Sequence, residues 1–172
     1  SLKIFSKKKN LRVLSLKKYL SPEFSIKTIG GGSLGQERDG SALLKKHLVI
    51  PTKKKLTPNQ LSTGLFAWKV VKHTKSNAVV VAKNNKIISI SGGQTSRVDA
   101  TKIAFEKTKI PKGCTVASDA FFPFKDSVEK MAQYKIAAII QPGGSIRDPE
   151  VVESCNKNKI AMAFTGFRVF KH

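Results

Sequence analysis

From Thr57 onward, helix and strand signals alternate along the chain, and this alternation restricts the fold more than any other feature of the sequence. Thr57 is placed as an N-cap, Pro58 takes the first helical position, where its missing N–H is no loss, and Gln60 completes a capping box. Leu61, Leu65, Trp68 and Val71 or Lys72 then recur at helical spacing. Ala78 to Ala82 and Lys86 to Ser91 are β-rich runs around Asn84 and Asn85, a pair that tolerates positive φ, so they predict a hairpin. Beyond it come a helix from Ser96 to Lys107, a strand from Thr115 to Ser118, a helix from Asp126 to Tyr134 and a strand from Ile136 to Ile140. Asp148 as N-cap and Pro149 open a last helix, and Ile160 to Phe164 form the last strand. The expected fold is α/β: a mixed, largely parallel sheet covered by helices, with one antiparallel hairpin.

The first 56 residues have a different texture. Leu11 to Leu16 and Phe24 to Ile29 read as strands, and Gly30, Gly31 and Gly32 break the second. Residues 1–56 are expected to be a lead-in of strands and turns packed on the same domain, with 57–172 as its body. A chain of 172 residues buries roughly 70% of its unfolded surface, enough for a core without staples. No apolar run approaches the roughly 20 residues of a membrane span, and Ser1 to Asn10, though basic, lacks a secretory h-region. No membrane association is expected, and the expected location is cytoplasmic. Cys114 and Cys155 stand far apart without C-x-x-C spacing, which predicts two buried free thiols.

A net charge of +21 is what a polyanion-binding surface would carry. The lysines, however, are spread along the whole chain, from Lys7 to Lys9 through Lys53 to Lys55 to Lys157 and Lys159, with no aromatic-rich RNA-binding signature among them. A basic nucleic-acid-binding module that keeps the fold without the activity is therefore the alternative, not the first reading.

Ligands of open α/β sheets sit beyond the carboxyl ends of strands, where loops and helix N-termini meet. Four segments are candidates. Ser91 to Asp99 carries Gly92 and Gly93, a Ser96–Asp99 cap and Arg97 on the first helical turn, suited either to an anion or to a plain connection. Ser118 to Asp126 holds three phenylalanines and two carboxylates, either a buried aromatic plug or a platform for a flat heterocycle. Gln141 to Asp148 is a second Gly-rich turn before a helix, and Phe167 to His172 sets Arg168 between aromatics just past a strand end. Asn77, at a helix-to-strand junction, offers both amide donor and acceptor. The sequence contains no zinc pattern, nucleophile elbow, Walker loop or dinucleotide fingerprint.

Taken together, Trp68-Lys69-Val70-Val71-Lys72-His73-Thr74-Lys75-Ser76-Asn77, Gly92-Gly93-Gln94-Thr95-Ser96-Arg97-Val98, Ser118-Asp119-Ala120-Phe121-Phe122-Pro123-Phe124-Lys125-Asp126 and Gln141-Pro142-Gly143-Gly144-Ser145-Ile146-Arg147-Asp148 resemble the bifunctional purine-biosynthesis family. Its members are both AICAR (aminoimidazole carboxamide ribotide) formyltransferase and IMP (inosine monophosphate) cyclohydrolase. The resemblance covers essentially the whole chain, including Asn10 to Leu14 and the closing Arg168 to His172. It implies a cytidine-deaminase-like three-layer sandwich, the latter part of the formyltransferase domain, with the cyclohydrolase domain and first transferase subdomain absent. The implied reaction moves a formyl group from 10-formyltetrahydrofolate, the co-substrate, to the 5-amino group of AICAR. The implied AICAR contacts are Asn77, Arg97, Phe121 and Arg168, and the implied folate contacts are Val98, Asp126, Ser145 and Ile146. Thr74, Ser76 and Asp119 match side-chain positions near a potassium ion that the family can hold. The family's transition-state lysine and proton-accepting histidine belong to the absent subdomain, and Lys72-His73 is a different motif, so no catalytic residue is expected here and the fragment alone is expected to be inactive. Ser127 stands where the family carries Asn after its folate-binding Asp. The full-length family member is expected to be a homodimer.

Overall fold

The computed structural model describes residues 2–15, 24–37, 40 and 43–171. They divide into two compact units, 1–40 and 41–172. The first unit holds the short helix α1 (Leu2–Phe5) and a hairpin of β1 (Phe24–Ile29) and β2 (Gly32–Glu37). Gly30 and Gly31 make its turn, with Gly31 at φ 82°, a backbone angle few other residues hold. The expected strand at Leu11 to Leu16 is not found: residues 11–15 are irregular and Leu16 lies outside the described residues. Residues of strand-like composition remain irregular without a ladder partner, and residues 11–15 have none among the described residues.

The second unit is built on a five-stranded sheet in the order β4 (Lys86–Ser91), β3 (Val79–Lys83), β5 (Thr115–Ser118), β6 (Ala138–Gln141) and β7 (Ala161–Phe164). It is mixed: β5, β6 and β7 run parallel, while β3 is antiparallel to both β4 and β5. Asn84 and Asn85, at φ 50° and 56°, turn the β3–β4 hairpin as their tolerance of positive φ predicts. The period of two sorts the core. Val79, Val81, Val116, Ile139 and Met162 face α3 (Arg97–Glu106), α4 (Lys125–Gln133) and α5 (Asp148–Lys157). Val80, Ala82, Ala117, Ile140 and Ala163 face α2 (Pro58–His73) through Ala67, Trp68 and Val71.

Thr57 caps α2, with its side chain accepting from Gln60 N and the Gln60 side chain accepting from Thr57 N at 2.9 Å. Gly64 lets this helix lie directly on the sheet: a Cβ there would meet Ile140 Cγ1 at 2.6 Å. Residues 43–56 belong to this unit, where Leu43 is in the core, Val49 bridges Phe164 and Thr52 Oγ1 accepts from Met162 N at 2.9 Å. Cys114 and Cys155 are free and buried as expected, and burial pushes the Cys155 thiol up to about 12. No helix among the described residues is long and apolar enough to cross a membrane.

One expected cap differs. Asp148 is the first residue of α5 rather than its N-cap, which is Arg147. The Asp148 carboxylate turns back and accepts from Gly144 N at 2.7 Å and Ser145 N at 3.2 Å. Both bonds fall on Oδ2 and hold the preceding loop to the start of the helix, while Oδ1 is buried with no hydrogen-bond partner among the described residues.

Candidate functional site

The topology collects the candidate loops at one edge of the sheet. The carboxyl ends of the parallel strands β5, β6 and β7 share that edge, and antiparallel pairing brings the start of β3 and the end of β4 to it. Asn77 and Ala78 therefore stand beside Asp119, and the segment after Ser91 returns over them into α3. The Ser76–Asn77 peptide bond is cis.

The centre of this edge is a buried polar corner. Arg97, 7% exposed, ion-pairs through Nη1 with Asp119 Oδ1, which is fully buried, and also donates to the Ala78 carbonyl at 3.0 Å. Its Nη2 donates to Asn77 Oδ1 at 2.9 Å, and Asn77 Nδ2 donates to the Gln94 carbonyl at 2.9 Å. Asp119 Oδ1 also accepts from Ala78 N at 3.0 Å, while Asp119 Oδ2 is buried with no hydrogen-bond partner among the described residues. Burial pulls the Arg97 guanidinium down from its ordinary value, and the charge and hydrogen bond of Asp119 oppose that pull. The sequence suggests Arg97 as an anion ligand on a helix's first turn, yet its guanidinium is committed to the chain's own groups.

The tail closes over the same corner. Val169 N donates to the Asp119 carbonyl at 3.1 Å, and Ser76 and Lys171 exchange two hydrogen bonds, Ser76 N to Lys171 O at 2.8 Å and Lys171 N to Ser76 Oγ at 2.9 Å. This seats the Arg168 guanidinium 5.0 Å from the centroid of the Phe121 ring. His172 lies outside the described residues. Nearby, Thr74 Oγ1 donates to the Val70 carbonyl at 2.8 Å.

The three phenylalanines of the aromatic segment split between plug and platform. Phe122 is fully buried in the core, Phe121 is half-buried beneath Arg168, and Phe124 is 45% exposed with the Arg147 guanidinium 4.9 Å from its ring centroid. Asn77 with Arg97 and Phe121 with Arg168 thus form two pairs joined through Asp119, whose carboxylate pairs with Arg97 and whose carbonyl accepts from Val169 N. Asp126 is exposed on the first turn of α4, and the 145–147 loop reaches the same segment through Arg147 over Phe124, with Ser145 partly buried and Ile146 almost wholly exposed. Val98 is partly exposed on the first turn of α3.

Of the four glycines expected to let a ligand approach, Gly92 and Gly143 pack against the chain itself, whereas a Cβ on Gly144 would meet open space. Gly92 packs against Thr74 and Lys75, and a Cβ on Gly143, at φ 72°, would meet the Phe164 ring at 2.8 Å. Sequence reasoning also missed the Arg97–Asp119 pair. Its signal is an aspartate at a strand end with no charged neighbour of its own, since a buried carboxylate needs a cation. No group of three or more His, Cys, Asp or Glu residues among the described residues is arranged to hold a metal ion.

A family model described as AICARFT/IMPCHase bienzyme matches residues 1–107. The bifunctional purine biosynthesis protein PurH of Aquifex aeolicus is 50% identical over all of this chain and 34% of its own length. The proteins of the same name from Persephonella marina and Caldicellulosiruptor bescii are 48% and 47% identical, over 96% and 100% of this chain and 33% and 34% of theirs. This chain thus spans about a third of the length of these curated relatives, and with identity sustained from end to end it belongs to the AICARFT/IMPCHase bienzyme family.

Proposed function

We propose that this chain supplies the substrate-binding half of a purine-biosynthetic site that transfers a formyl group from 10-formyltetrahydrofolate to the 5-amino group of AICAR. The observation that carries the reading is the joining of the Asn77–Arg97 and Phe121–Arg168 pairs through Asp119 in a member of this family. Phe121 offers a face on which an imidazole can stack, and Arg168, poised over it, offers a cation to the ligand's phosphate. Asn77, fixed by Arg97 and Gln94, holds its amide where a carboxamide is read. Val98, Asp126, Ser145 and Ile146 form the folate side, with Asp126 accepting hydrogen bonds from the pterin-like ring.

The Lys–His pair that moves the amine proton comes from polypeptide outside these 172 residues, so the chain alone is inactive. The fold is the cytidine-deaminase-like sandwich, with 57–172 as its body and the earlier residues as its lead-in. The whole protein is a cytoplasmic homodimer whose other domain closes AICAR's formylated product to IMP. We assign the potassium ion to Thr74, Ser76 and Asp119: all three carry side-chain oxygen, which suits a hard cation, and Asp119 Oδ2 has no hydrogen-bond partner among the described residues. Such an ion would hold the 74–77 segment to the end of β5. The basic nucleic-acid module is not favoured.

The test is AICAR affinity, measured by calorimetry in the full-length protein. Arg168→Ala is expected to weaken binding roughly tenfold or more, because a charge-assisted hydrogen bond is worth about 1.5–3 kcal/mol. Phe121→Ala is expected to weaken it clearly as well, and unchanged affinity in both variants overturns the reading.

A further inference from the structure

Gln141 is a polar residue where the chain would be expected to place an apolar one. It ends the central parallel strand β6, it is fully buried, and the residues before it, Ala138, Ile139 and Ile140, are core. A buried amide is costly unless its hydrogen bonds are made, so its partners indicate its purpose. Its Oε1 accepts from Phe122 N at 2.7 Å, a short bond made 19 positions away in sequence. Its Nε2 donates to Met162 Sδ at 3.4 Å, a weak acceptor, so the anchoring half of the amide is the oxygen. Its backbone carbonyl accepts from Thr165 N at 2.8 Å.

These bonds reach both halves of the Phe121–Arg168 stack. The Phe122 N–H belongs to the peptide that joins Phe121 to Phe122, so pinning it directs one ring outward under Arg168 and drives the other into the core. On the far side, Thr165 starts a turn in which its Oγ1 donates to the Phe167 carbonyl at 3.1 Å and Phe167 N donates to that Oγ1 at 3.2 Å. Gly166 N donates to the Pro142 carbonyl at 3.0 Å, and the next residue after the turn is Arg168. The Gln141 side chain thus holds the peptide that carries the ring, while its backbone carbonyl, as any residue at this ladder position would, meets the turn that delivers the guanidinium.

We infer that Gln141 is a positioning residue for ligand binding, acting through the Phe121–Arg168 stack, an inference that rests on the stack being the AICAR surface proposed above. It touches no ligand. Its effect is to keep ring and cation in register before the ligand arrives, which matters because a small misplacement of binding groups costs far more than their own contacts suggest.

A double-mutant cycle on the full-length protein tests this, with AICAR as the probe and calorimetric Kd as the readout. Gln141→Met keeps the unbranched shape and removes the strong acceptor. It is expected to weaken AICAR binding about tenfold in the native background, and less than about twofold in the Phe121→Ala background, because residues acting through one another are not additive. Equal losses in both backgrounds mean a general structural role and overturn the inference. Unchanged affinity in Gln141→Met alone overturns it while the stack reading stands, whereas no effect of Phe121→Ala removes both. Amide hydrogen exchange on the unmutated protein needs no variant to fold: the Phe122 amide is expected to exchange as slowly as those of Ile139 and Ile140, and exchange at the rate of an exposed loop amide overturns the inference.

Discussion

Two arginines stand within a few residues' reach at one sheet edge and are put to opposite uses. Arg97 is buried, with Nη1 and Nη2 spent on Asp119, Ala78 and Asn77. Arg168 is exposed and lies over the Phe121 ring. Arg147 over Phe124 repeats the second pattern, with a loose 3.9 Å pairing to Glu150. The corner is a rigid frame in which charge is neutralised inside the chain. The rim is a set of cations on aromatic faces whose charge remains available to a ligand. Binding residues are best held by well-anchored neighbours, and on the function proposed above the buried corner anchors the exposed rim.

The sharpest way to break that comparison is to treat the corner as if it were rim. Asp119→Asn leaves a guanidinium buried without its counter-charge and is expected to destabilise the second unit by about 3–5 kcal/mol. The urea midpoint at constant m-value reads this. A loss no larger than that of a surface substitution means Arg97 finds water or another partner, and the frame is not one. Next in size is Gly143→Ala. It adds a Cβ 2.8 Å from the Phe164 ring at a φ of 72°, and the expected loss is about 1–3 kcal/mol. The same urea midpoint measures it, and a neutral result means the 141–148 loop yields more readily than its packing on Phe164 indicates.

Much of the second unit was legible because its signals are local. Thr57, Pro58 and Gln60 make their cap within four residues, and Asn84 and Asn85 make their turn within two, so short-range chemistry settled both. The run Ala78 to Ala82 announced a strand, but because it is apolar throughout, only the structure sorts Val79 and Val81 to one face and Val80 and Ala82 to the other. The failures are those of longer reach or of competing partners. Residues 11–15 have strand-like composition and no ladder among the described residues, and Asp148 chose two loop amides over the expected cap. The site residues came from family resemblance. What joins them did not, because Arg97 and Asp119 are 22 positions apart, Phe122 and Gln141 are 19 apart, and Ser76 and Lys171 are 95 apart. Nor did composition distinguish Phe121 from Phe122: adjacent identical residues take opposite roles because one pinned peptide between them sends their side chains to opposite sides.

The smallest effect is the one that separates frame from rim most cleanly. Arg168→Ala removes a cation–π contact at an exposed position, worth about 0.5–1 kcal/mol. The tail itself is held by Val169 N on the Asp119 carbonyl and by the two Ser76–Lys171 bonds, none of which uses the Arg168 side chain. Unfolding stability is therefore expected to fall by no more than about 1 kcal/mol, in the same protein whose AICAR affinity drops tenfold or more. A residue built for folding moves both quantities together, whereas a residue built for a ligand moves one. If the urea midpoint of Arg168→Ala falls as far as that of Asp119→Asn, the two arginines share one task and the division between corner and rim fails.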